Sequence, residues 1–111
     1  MHGRIKHLKS LQVGSTVTDI DATNAHDIAN AVLVNTTAAI AYLQVFWLAA
    51  ASVTLGTTAP DVVIPLPASG GVSIPFEGEG WHTASKFSVA GTTGRTNNVQ
   101  ALVDVVLWEK L

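Results

Sequence analysis

The chain has 111 residues, 48% of them apolar and only 13% charged, with a formal net charge of −2 and no cysteine. An average globular domain carries about 25% charged residues, so this is a single domain with little surface that demands water. The missing cysteines exclude disulfides and thiolate zinc sites, and the few cations present argue against a nucleic-acid binder.

Residues 1–9 read as a basic N-terminal arm, with Arg4, Lys6 and Lys9 beside His2 and His7. Residues 10–85 hold no Lys or Arg but carry Asp19, Asp21, Asp27, Asp61, Glu77 and Glu79. A basic arm on an acidic body is either a solvated terminus or an arm that docks on an acidic neighbour. The domain itself is expected over residues 10–111. No targeting segment is expected, because "HLKSLQVGSTVTD" offers neither a continuous apolar run nor an A-x-A site. Residues 28–60 are uncharged, yet Asn30, Asn35, Thr36, Thr37, Gln44, Ser52 and Thr54 interrupt them, so no membrane span is expected.

Abundant Val and Thr, with turn residues at short intervals, predict β-structure. Residues 10–20 alternate and predict a first strand, with a bulge or bend at Gly14. Residues 21–30 read as a polar connection, 31–37 as a short strand and 39–50 as the strongest strand. In the last of these, Ile40, Tyr42, Gln44, Phe46 and Leu48 share one face, and Ala41, Leu43, Val45, Trp47 and Ala49 the other. Both faces are apolar, so one should meet the core and the other a second layer or an interface. Its alanines leave a helix as the competing reading. A loop at 55–60 precedes strands at 61–67 and 72–76, joined by a Gly-Gly turn.

Residues 81–91 read as a further strand, 92–98 as an exposed loop and 99–111 as the closing strand. There Val99, Ala101, Val103, Val105 and Leu107 share one face, and Gln100, Leu102, Asp104, Val106 and Trp108 the other. Seven or eight short strands predict an all-β, jelly-roll-like antiparallel β-sandwich. Pro65, Pro67 and Pro75 remove backbone donors from one side of their strands, which places those strands at sheet edges or gaps.

Chemistry is sparse. There is no G-x-S-x-G, P-loop or H-E-x-x-H, and no pair of histidines has metal-ligand spacing beside a carboxylate. Glu77 and Glu79 share a turn but are too few acids for a calcium loop. No enzymatic activity, cofactor or metal is expected. Of the tryptophans, Trp47 should pack inside, Trp81 could line a rim, and Trp108 could face a partner. Exposed tryptophans also stack on sugars, which keeps a carbohydrate-binding module open as the alternative.

The segments "AVLVNTTAAIAYLQVFW", "VTLGTTAPDVVIPLPASGGVSIPFEGEGW", "SKFSVAGTTG" and "VDVVLWEKL" together resemble the small head-decoration proteins of tailed bacteriophages, nearest to the capsid staple proteins of epsilon-fifteen-type podoviruses. The resemblance runs from about residue 31 to 111 and does not place the first thirty residues. It implies a jelly roll on the outer surface of the virion, bridging major capsid protein subunits against internal DNA pressure. It also implies a homodimer or homotrimer without enzymatic activity. On that expectation Arg4, Lys6 and Lys9 reach to the capsid or a sister subunit, and Trp81 and Trp108 are the aromatic candidates for partner binding.

Overall fold

The computed structural model describes residues 4–76 and 80–111; His2 and the acidic turn of Glu77 and Glu79 lie outside the described residues. The alternation read in the closing segment sets the pattern. In β9 (Val103–Lys110), Val103, Val105 and Leu107 are buried, while Asp104, Val106 and Trp108 between them are half-buried. Successive side chains of a strand face opposite ways, so one side of β9 enters a core and the other looks outward.

Eight strands precede it: β1 (Ile5–Val13), β2 (Thr18–Asp21), β3 (Asp27–Asn35), β4 (Ala41–Phe46), β5 (Val62–Leu66), β6 (Gly71–Pro75), β7 (Trp81–His82) and β8 (Phe87–Thr92). β4 is a strand, as expected, and not a helix. Its β-branched and aromatic residues are covered on both faces, and the neighbouring alanines enter only a short 3-10 turn, Ala50–Ser52.

Two antiparallel sheets form a sandwich. Sheet A has the order β1-β9-β3-β6, with β7 also pairing β3, and sheet B has the order β2-β8-β4-β5. Within them β1 pairs β9, β2 pairs β8, β3 pairs β6 and β4 pairs β5. That nesting is a long hairpin, folded at the connection between β4 and β5 and rolled into two layers, which is the jelly-roll winding. The ninth strand, beyond the seven or eight expected, is the two-residue β7. Between the sheets lie Ile28, Leu33, Leu43, Val45, Phe87, Val89, Val103 and Val105, all at most 3% exposed. The shortest molecular extent, 18 Å, fits two sheets packed about 10 Å apart.

Four expectations from the sequence are corrected. The strand expected over residues 10–20 is two strands in different sheets, separated by a bend that begins at Gly14. At that crossing Gly91 of β8 receives the chain closely: its N–H donates to Gly14 O at 3.0 Å, and a Cβ on it would meet Ala101 O at 2.3 Å. Residues 81–91 likewise divide into β7 and β8, and β3 starts at Asp27, inside the expected connection.

The fourth correction concerns the basic arm. Residues 5–9 do not reach away from the domain; they are the first half of β1, zipped to β9 from Ile5 opposite Lys110 to Val13 opposite Val103. The boundary at residue 9 therefore falls inside a strand. Leu8 and Leu11 hold this strand to the core. They are three positions apart, which breaks the period of two, because the register shifts by one residue between His7 and Lys9. A bulge of this kind hides a strand from a reading based on alternation.

The prolines lie where their chemistry requires. β5 and β6 are edge strands of sheets B and A. Phe76 N donates to Ala29 O of β3 at 2.9 Å, so the donor that Pro75 lacks, one residue earlier, would point away from the sheet. Both strands on this flank of the sandwich thus refuse a further strand along part of their length.

Candidate partner-binding face

Strand register defines one broad outward surface. On sheet A, Trp108 of β9 lies between His7 of β1 and Asn30 of β3; Val106 lies between Ser10 and Val32; Asp104 lies between Gln12 and Val34. Directly opposed residues share a face. The strip Val34, Val32, Val106 and Trp108 is therefore continuous and apolar, and each of its members is half-buried. Small polar side chains flank it, Ser10 on β1 and Ser73 on β6.

The ends of the strip are polar. Gln12 Nε2 donates to Asp104 Oδ1 at 3.1 Å, and the His7 ring meets Trp108 edge-on, with ring centroids 6.3 Å apart. Within this face, opposite Trp108, Asn30 Oδ1 is buried without a hydrogen-bond partner. An open, largely uncharged sheet face with a tryptophan near its rim suits a protein surface better than a small ligand, which needs concavity.

The other candidates sit elsewhere. Lys6 Nζ is 3.3 Å from Glu109 Oε1, so this cation is engaged within its own chain. Arg4 is exposed, and its carbonyl accepts from Leu111 N at 2.9 Å, which closes the end of the β1 and β9 pair. Lys9 is half-buried and lies opposite Leu107, next to the bulge of β1. Trp81 is half-buried and packs in an aromatic cluster. It stacks on Phe76 with centroids 5.4 Å apart and contacts Trp47 at 5.5 Å and Phe87 at 6.0 Å. Trp47 is packed in the same cluster, as expected. Trp108 is thus the only one of the three tryptophans outside this cluster.

Of the residues that make the face, the sequence reading placed Val106 beside Trp108 on one strand but missed Val32 and Val34, which β3 brings alongside. A partial signal was present in β3 and β9, where Val32, Val34, Val106 and Trp108 are apolar at outward positions between buried ones.

A cleft of about 500 Å³ opens beside the chain end, lined by Asp27, Gly80, His82, Lys110 and Leu111. His82 Nδ1 and Asp27 Oδ1 lie 2.7 Å apart there. Gly80 has a left-handed φ of 85°, and a Cβ on it would meet Ile28 O at 2.7 Å. Among the described residues no three His, Cys, Asp or Glu side chains are grouped to hold a metal, and no helix is long and apolar enough to cross a membrane.

The chain matches no protein-family model, no curated protein and no solved structure.

Proposed function

We propose that this protein is a non-enzymatic decoration protein of a tailed-phage head, bound to the outer surface of the capsid, where it bridges major capsid protein subunits. The observation that carries this reading is the uncovered strip of Val32, Val34, Val106 and Trp108 on a domain with few charges. Its dry centre would dock on the shell, with the exposed Arg4 and the half-buried Lys9 along the neighbouring sheet edge. Rim ion pairs contribute only about 0–1 kcal/mol each, so they tune register and on-rate more than affinity. A homodimer or homotrimer would multiply weak contacts through effective concentration. The resemblance of residues 31–111 to head-decoration proteins supports the same reading.

The carbohydrate-binding alternative is weaker, because Trp81 packs against Phe76 and Trp108 meets His7 edge-on without a second aromatic platform beside it among the described residues. The test is binding to undecorated capsids of the phage that encodes the chain. Wild-type protein should saturate at fixed stoichiometry, and Val106→Asp should reduce occupancy at least about tenfold, as expected for a charge placed at an interface centre. Deleting residues 1–9 is the wrong probe, since it removes half of β1; Arg4→Glu with Lys9→Glu should lower occupancy mildly and salt-dependently. Equal capsid binding by Val106→Asp and wild type, or purified virions without an 11.6 kDa band, would defeat the proposal.

A further inference from the structure

At one end of the sandwich, a charged cluster bridges the two sheets. Asp21 closes β2 of sheet B, and Glu109 lies near the end of β9 of sheet A. Between them sits the imidazole of His26, from the connection that enters β3. Its Nε2 is 2.7 Å from Asp21 Oδ2 and its Nδ1 is 2.5 Å from Glu109 Oε2. Lys6 of β1 caps the other oxygen of Glu109 at 3.3 Å.

The backbone of His26 is fixed independently of its ring. His26 N donates to Thr83 Oγ1 at 2.9 Å and Thr83 N donates to His26 O at 2.8 Å. Asp21 is also pre-set, its Oδ1 accepting from the amides of Thr23 at 2.8 Å and Asn24 at 3.1 Å. The ring is therefore held from both sides against two carboxylates.

An imidazolium has two N–H donors and satisfies both carboxylates; a neutral imidazole has one, and turns a lone pair towards the second. We propose that Asp21, His26, Glu109 and Lys6 form a pH-operated clasp across the mouth between the sheets, closed while His26 is protonated and open at one carboxylate when it is neutral. With the ring neutral, the cluster carries two carboxylates and one ammonium, with a net negative charge in a partly buried site. The groups facing the ring are Asp21 from β2 and Glu109 from β9, with Lys6 of β1 behind Glu109, while the Thr83 hydroxyl is taken up by the His26 backbone N–H. Asp27, next in the chain, turns instead to His82, and with Lys110 it lines the neighbouring cleft.

The titration directions agree with this geometry. Burial lowers the affinity of His26 for a proton, but the hydrogen bonds and charges of Asp21 and Glu109 outweigh it and raise the pKa above 6.5. The bond from His26, with those from the Thr23 amide and the Asn24 amide, holds Asp21 far below the usual carboxylate range. Glu109 is pushed up by burial yet ends below 4.5 through His26 and Lys6. A raised histidine contributes stability that is complete below 6.5 and lost as pH climbs through its folded value. Lowered carboxylates contribute stability that is complete above about 4.5 and lost on acidification. The clasp is therefore strongest between about 4.5 and 6.5 and opens on the alkaline side.

Two measurements test this. In NMR titration of the full chain, the His26 ring should pass its midpoint above 6.5, and the Thr23, Asn24 and Lys6 amides should lose protection through the same transition. In thermal melts from pH 6 to pH 9, wild type should lose Tm progressively. His26→Gln should lose most of that dependence, and His82→Gln, which removes the other paired histidine, should keep it. A His26 midpoint at or below 6.5, or an unchanged pH dependence in His26→Gln, overturns the clasp. Should His26→Gln fail to fold, the wild-type titration decides alone.

Discussion

The outer faces of the two sheets began from similar sequence and ended differently. β4 of sheet B and β9 of sheet A both carry apolar side chains on both sides. On sheet B the outward residues Gln44, Phe46, Ser88 and Ala90 are completely buried, yet Phe46 and Ala90 stand outside the inter-sheet core. The chain covers them with its own long connections. Residues 47–61 fold back over one end, where Ser88 Oγ donates to Leu48 O at 2.7 Å and Ala50 N donates to Asp19 Oδ1 at 2.8 Å. Residues 93–98 cover the other end, where Gln44 Nε2 donates to Asn97 O at 3.0 Å and Arg95 lies 5.9 Å above the Tyr42 ring. Sheet A has no such cover over Val32, Val34, Val106 and Trp108 among the described residues. Apolar side chains on an outer face thus do one of two jobs, and loop trajectory decides which: they hold a loop, or they await another surface.

This contrast can be broken most forcefully at Phe46. If sheet B is closed as a second core layer, Phe46→Ala should destabilise the domain by about 3–5 kcal/mol, read as a drop in urea midpoint at constant m-value. A loss below about 1 kcal/mol would mean the covering segment collapses freely and is no true layer. Next comes Gln44, whose Nε2 also donates to Thr92 Oγ1 at 2.8 Å. Gln44→Ala should cost about 1–3 kcal/mol by leaving the Asn97 carbonyl unpaired. Amide exchange should accelerate in residues 93–98 before it does in β4. Uniform acceleration of both would show that the loop and the sheet open as one unit.

How much of this was legible in the sequence depended on the range of the interactions. Inside-outside alternation in β9 and the sheet edges marked by Pro65 and Pro75 could be read directly, since each is a property of one strand. β1 could not be read as a strand. Its charges suggested solvent, and the bulge after His7 shifted Leu8 out of phase with Leu11 and Val13. The split between β1 and β2 required knowing that the bend at Gly14 changes sheets, which is a tertiary fact. His26 seemed an ordinary loop histidine because its carboxylate partner Glu109 is 83 positions away. Which apolar face stays bare was equally hidden, because Val106 and Phe46 have the same local pattern and differ only in the path of distant loops.

The smallest stability change should come from the bare face, and that smallness is what separates the two sheets. Trp108 is half-exposed and already loses part of its contact area to water, so Trp108→Thr, which keeps a strand-forming residue, should cost no more than about 1 kcal/mol. Val106→Thr should cost about 0.5 kcal/mol or less, because the replaced methyl group points outward. Both should melt cooperatively within a few degrees of wild type, and on the proposed function both should lose occupancy on undecorated capsids. A Trp108→Thr loss comparable to that of Phe46→Ala would make Trp108 a structural residue of the edge strand pair, resting on His7. The strip would then have a folding role, and the two faces would no longer be different in kind.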